Sequence, residues 1–146
     1  MENILKLSSL NSEAALKLVT AGRAYAMEQG WHVAIAVADQ AGNMIAYSQV
    51  DGAPALCAVI AQDKACTAAS FKVSTRELAE NLEGEAPRVT AGLVNYRRLA
   101  LFGGGVPVIV SGETIGAVGV SGSSEKCDEA CGQAAINKVF GEMINV

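Results

Sequence analysis

Aromatic residues make up only 5% of this 146-residue chain, with a single tryptophan and a single histidine. A core so poor in rings must be built mainly from Ala, Val, Ile and Leu, and apolar types do reach 51%. One histidine also leaves little room for a histidine-activated nucleophile. A Ser-His or Cys-His pair would have to use His32, and no spacing in the sequence supports one. A basic face is missing too: the formal net charge is −4, with no long run of either sign. That argues against nucleic acid or an anionic membrane as the partner. No apolar run approaches the roughly eighteen residues of a membrane span. The opening MENILKLSSLNSE has one lysine and lacks the apolar centre of a signal peptide. These absences point to the cytoplasm, where the four cysteines need not form disulfides.

The length suits one domain over residues 1–146 with a sizeable core, and no linker or repeat divides it. Leu10, Ala14, Leu18, Ala21 and Tyr25 fall on one helical stripe, with Ser9 as the expected N-cap and Gly30 as the stop. From His32 to Asp39 the period changes to two. Val33, Ile35 and Val37 point one way, Ala34, Ala36 and Ala38 the other. Both faces are apolar and need cover, and the alanine face admits a helix most closely. A turn at Ala41-Gly42-Asn43 leads into a second strand, Met44 to Gln49. Pro54 is placed to open a buried small-residue helix over 55–73. A short helix capped by Ser74 or Thr75 and a third piece over 87–99 follow. Strands are expected near Leu99–Phe102, at Val106–Val110 and at Thr114–Ser121, the last two joined through Gly112. A helix over 125–142 ends the chain. The order implies an α/β (α+β) domain of three layers, α/β/α, around a five-stranded antiparallel sheet.

Charged residues within apolar segments are the first places to look for chemistry. Lys64 sits among Ala61, Ala65 and Ala68 and must reach water or a carboxylate, because an unpaired buried charge is costly. Asp51, at a strand end, is the expected partner. The pair is either a structural bridge or a site where Lys64 meets a ligand carboxylate or phosphate. His32 could ligate iron through a neutral imidazole nitrogen, or be an ordinary half-buried residue. Cys127 and Cys131 share a helix face, but two thiols fall short of a usual zinc site and read first as packed residues. Ser121-Gly-Ser-Ser124 precedes a helix, where amides and hydroxyls could receive an anion or simply cap it. Arg88, Arg97 and Arg98 form a small basic cluster whose plain reading is a solvated face, with phosphate binding as the alternative. The run Gly103-Gly-Gly105 lacks the Lys-Ser or Lys-Thr of a phosphate loop and leads into a strand, so it reads as a sharp bend.

Taken in order, Val37-Ala-Asp-Gln-Ala-Gly42, Asp51-Gly-Ala53, Lys64-Ala-Cys-Thr-Ala-Ala-Ser-Phe71, Gly104-Gly-Val-Pro107, Ile115-Gly-Ala-Val-Gly-Val-Ser-Gly122 and Asp128-Glu129 form an ordered set. The set resembles the GlcG/HbpS-like family, related to the C-terminal domain of PduO-type cobalamin adenosyltransferases. The resemblance covers nearly the whole chain. It implies a profilin-like fold, homo-oligomeric assembly, and haem or another tetrapyrrole as the ligand of some members, in the setting of small-alcohol or hydroxy-acid metabolism. The expectation is therefore a small-molecule-binding accessory protein, with haem or a corrinoid as possible cofactor. Its site would be lined by Asp51, Lys64, Gly104, Gly105 and Ser121: Lys64 supplying charge, Asp51 orienting it, the glycine amides and Ser121 donating hydrogen bonds. Two alternatives stand beside it, an enzyme using Lys64 and Asp51 as acid and base, and a structural oligomer assisting a partner enzyme.

Overall fold

A computed structural model describes residues 3–141. Its elements in order are α1 (Ser12–Gln29), β1 (Ala34–Asp39), β2 (Met44–Gln49), α2 (Cys57–Phe71), α3 (Thr75–Glu83), α4 (Pro87–Leu93), β3 (Gly105–Val110), β4 (Glu113–Ser121) and α5 (Glu125–Phe140). The strands form one antiparallel sheet in the order β2-β1-β4-β3. The two-sided pattern of the first strand has its expected consequence. Val33, Ile35 and Val37 join Leu18, Val118, Val120, Cys131 and Ile136 in the core beneath α1 and α5. Ala34, Ala36 and Ala38 pack with Ala61, Ala65 and Ala68 of α2 on the opposite face. The result is a mixed α/β domain in three layers, α1 and α5 on one side and α2 on the other.

The alanine side is unusually thin. Across the sheet, Ala36 pairs with Gly119 and Gly119 with Gly105, a row of minimal side chains directly under α2. A Cβ on Gly119 would run into the Ala61 carbonyl and the Ala65 amide. Small residues on both partners thus bring helix backbone against strand backbone.

The sheet has four strands, not the five expected. The segment over 99–102 has the right composition but its backbone bonds go elsewhere. Ala100 N–H donates to Thr67 Oγ1 at 2.9 Å, and that hydroxyl donates to the Arg98 carbonyl at 2.8 Å. The segment is therefore tied to α2 by one buried threonine rather than laid beside a strand. Boundaries also move. Asn11, not Ser9, caps α1, its side chain accepting from Ala14 N–H, while Ser9 accepts from Gln40 N–H. Gly30 ends that helix at φ 77° as expected. Pro54 lies in a turn before α2 instead of inside its first turn, and α4 stops at Leu93, leaving Arg97 and Arg98 in the following loop. Ser74 is the cap of α3, which frees Thr75 to accept from Gly105 N–H at the start of β3. Glu142, the expected end of the last helix, lies outside the described residues.

Candidate functional site

The register gathers most of the predicted residues at one end of the sheet. Ala34 begins β1 opposite Gln49 at the end of β2 and opposite Ser121 at the end of β4, and Gly105 begins β3 nearby. His32, Asp51, Ser121 and Gly104 therefore leave the sheet from the same end, and the α2 side chain of Lys64 reaches it too.

Lys64 is 1% exposed. Its ammonium donates to the Val120 carbonyl at 2.8 Å and to Asp128 Oδ2 at 3.2 Å. It also lies 4.8 Å from the centroid of the Phe102 ring, within the range of a cation–π contact. The carboxylate partner is thus Asp128 of α5 rather than Asp51, which corrects the expected pairing. Asp128 is fixed from its other oxygen, which accepts from Ser123 N–H at 2.9 Å. Burial drives both groups toward neutrality: it pulls the Lys64 amine below its ordinary pKa and pushes the Asp128 carboxyl above its own. Each partner's charge opposes that shift in the other.

The sequence did contain a signal for this pair. Asp128, Cys131, Gly132, Ala135 and Ile136 are the buried residues of α5, spaced as one helical stripe. An acid on that stripe is as anomalous as Lys64 on the alanine stripe of α2. Two buried residues of opposite charge on facing elements answer each other.

The glycine run is packed by the same lysine. Gly104 has φ 132°, and a Cβ there would come within 2.5 Å of both Lys64 Nζ and the Val120 carbonyl. A Cβ on Gly105 would approach the Lys64 carbonyl at 2.5 Å and Thr75 at 2.6 Å. The Gly105 amide already donates to Thr75, and the Gly103 amide to Glu125 at 2.6 Å. The space next to these glycines is filled by the protein itself. Phe102, 45% exposed, caps the cluster from outside.

Asp51 enters through its backbone. Its carbonyl lies 2.8 Å from His32 Nδ1. His32 is exposed, and two glycines of positive φ, Gly52 (92°) and Gly122 (136°), flank it. A Cβ on Gly52 would sit 3.3 Å from Nδ1, and one on Gly122 would press on the His32 carbonyl. Ser124 caps α5 by accepting from Cys127 N–H, the plain reading of the serine run. Cys131 is buried against the Gly22 carbonyl, and burial pushes its thiol up to about 12. No cluster of three or more metal-ligating side chains occurs among the described residues.

Two surface grooves lie away from this end of the sheet. One, about 920 Å³, runs between α1 and α5 past Leu16, Ala21, Tyr25 and Val139. Another, about 510 Å³, separates α2 from the loop after α4 and is lined by Cys66, Phe71, Leu93 and Tyr96 with Arg97 and Arg98. Both are open troughs; the second holds Arg97 and Arg98 of the basic cluster, and neither is lined by Asp51, Lys64, Gly104, Gly105 or Ser121.

Comparison with known proteins bears on what such a site is for. Residues 10–137 match the family model described as haem degrading protein HbpS-like. The chain belongs to the HbpS-like family. Protein GlcG of Escherichia coli K12 is 41% identical over 113 residues, 77% of this chain and 81% of GlcG. Among solved structures, a double mutant of Streptomyces reticuli HbpS superposes with a TM-score of 0.84 at 30% identity, covering 94% of this chain and 92% of the other. A PduOC:heme complex matches with a TM-score of 0.79 at 26% identity, over 88% and 93% of the two chains. The HbpS-like resemblance in the ordered motifs is thereby borne out.

Proposed function

We propose that this chain is a small-molecule-binding protein whose ligand is haem or a related tetrapyrrole, held at the sheet end that carries His32, Asp51, Ser121 and the Lys64–Gly104–Gly105 cluster. The observation that carries this reading is the match to HbpS and to a PduOC protein with haem bound. The chemistry of that end supports it. One imidazole is available for a metal, Phe102 offers an exposed ring to a flat macrocycle, and the buried Lys64–Asp128 pair fixes the glycine bend beneath that ring. When bound, such a group supplies metal-centred ligand and redox chemistry that no side chain here provides. Lys64 acts as a support of the site rather than as an acid–base group, since its ammonium already meets a carbonyl, a carboxylate and a ring. We further read the fold as profilin-like, the protein as a homo-oligomer acting as an accessory in small-alcohol or hydroxy-acid metabolism, and its home as the cytoplasm.

The test is titration of purified protein with hemin and, separately, with aquocobalamin, followed by absorbance. Saturable binding of one ligand per chain is expected for at least one of them, and flat titrations with both would refute the reading. The family description favours a second reading in which haem is broken down rather than stored. A Soret band that decays under peroxide faster than that of free hemin, with a bile-pigment product, would select it.

A further inference from the structure

We infer that His32, through Nε2, is the side chain that ligates the metal of the bound tetrapyrrole; this rests on the tetrapyrrole reading above. The argument begins with a hydrogen bond. His32 Nδ1 lies 2.8 Å from the Asp51 carbonyl oxygen. A carbonyl only accepts, so Nδ1 must carry the proton. In the neutral ring the lone pair then belongs to Nε2. That nitrogen has no partner among the described residues, and the residue is exposed. A ligating histidine commonly has its other ring nitrogen held in this way, by a carbonyl or carboxylate that fixes tautomer and ring direction.

The backbone around the ring is bare. Gly52 packs against the Nδ1 side, where a Cβ would meet Nδ1, Cγ and Cε1 at 3.3–3.9 Å, so even a methyl group there would crowd the bond to Asp51. Gly122 allows the strand end to pass behind the His32 carbonyl. Both glycines adopt positive φ, which L side chains rarely do. Gly52 thus clears the Nδ1 side of the ring, Gly122 makes room for its backbone, and the outer nitrogen is left free.

Three other potential ligands are spoken for. Lys64 Nζ is buried among three partners. The Cys131 thiol is buried, hydrogen-bonded and held protonated, with its pKa pushed up to about 12. Tyr47 Oη donates to Gln49 Oε1, and burial pushes its pKa up as well. The reading also explains why Asp51 belongs to the site: its carbonyl, not its carboxylate, does the work.

Because the chain contains one histidine, a histidine-ligated spectrum from untagged protein has one source. Wild type, His32→Ala and His32→Gln are titrated with hemin and with aquocobalamin after circular dichroism has shown all three folded. Wild-type protein is expected to give the Soret and visible bands of imidazole-ligated ferric haem, or the imidazole-shifted spectrum of the corrinoid. Both variants are expected to lose that signature and bind at least about tenfold more weakly, the scale on which even outer partners of a ligating histidine count. Added imidazole should restore the wild-type bands in His32→Ala. Variants that keep the wild-type spectrum overturn the inference while the tetrapyrrole reading stands. Weaker binding with an unchanged spectrum also overturns it, since it assigns His32 a packing role. Failure of the wild type to bind either ligand refutes the reading and the inference together.

Discussion

A lysine and an aspartate that have both left water hold the end of the sheet together, and their pKa shifts say at what cost. Burial lowers the Lys64 pKa and raises that of Asp128, so each would be easier to ionise in the unfolded chain. Such a pair adds little net stability, but breaking it strands a charge. We therefore expect Lys64→Met to cost about 3–5 kcal/mol in urea unfolding. Lys64→Met/Asp128→Asn should recover most of that loss, because Asn keeps an acceptor for Ser123 N–H. The pH dependence follows from the sign of the Asp128 shift. A carboxyl whose folded pKa is raised contributes stability that is full below its ordinary value and lost as pH rises through the folded value. Removing Lys64 removes the charge that opposes this rise. The penalty of Lys64→Met should then shrink as the medium is acidified from neutrality, and an equal penalty at both pH values would contradict the assignment. At this scale the sequence was half legible. Lys64 stood out because its neighbours are alanines, whereas its partner lies 64 positions away and only the facing of α2 and α5 selects it. Asp51 was picked for its charge, yet what the fold uses is its carbonyl, which every residue has.

The elements were more legible than the pairings, because periodicity and burial are local. The double-faced strand announced two covering layers, and the row Ala36–Gly119–Gly105 shows why α2 had to be rich in alanine. Gly119→Ala tests that contact. Its new methyl meets helix backbone, which has no rotamer to yield, so a loss at the upper end of the roughly 1–3 kcal/mol typical of overpacking is expected in the unfolding free energy. Gly92→Ala in α4 is the control: nothing lies within 4 Å of the new methyl, so a gain of about 0.5–1 kcal/mol is expected. Equal effects of the two substitutions would show that α2 does not rest on the sheet as closely as described. The failed fifth strand marks the limit of local reading. Its residues favour extension, but Thr67 on a distant helix claimed the backbone groups that a neighbouring strand would have paired.

At the scale of the whole molecule, the outer side of α2 remains to be explained. Its inner side is spent on the sheet, yet Leu56, Val59 and Phe71 are exposed beyond it, with Val94 and Tyr96 exposed in the adjoining loop. A surface of this kind is what the proposed homo-oligomer would bury. It carries its own complementary charges: Asp63 on α2 is raised in pKa by burial and lowered by the nearby Arg98 and Arg97. A face with both an acid and arginines can meet a copy of itself, each acid opposite the other chain's base, as a two-fold contact requires. The same face would exclude water from the groove between Cys66 and Tyr96. We expect native mass spectrometry to report a homo-oligomer, and Val59→Lys, which places a charge among these exposed apolar residues of α2, to shift it toward smaller species. His32 leaves the sheet at its β1 end rather than from this surface, so Val59→Lys should retain the hemin or cobalamin spectrum of the wild type while its mass falls. A wild-type monomer would remove the proposed contact. An unchanged mass in Val59→Lys would move the contact to the groove between α1 and α5, where Leu16 is the exposed apolar residue to replace next.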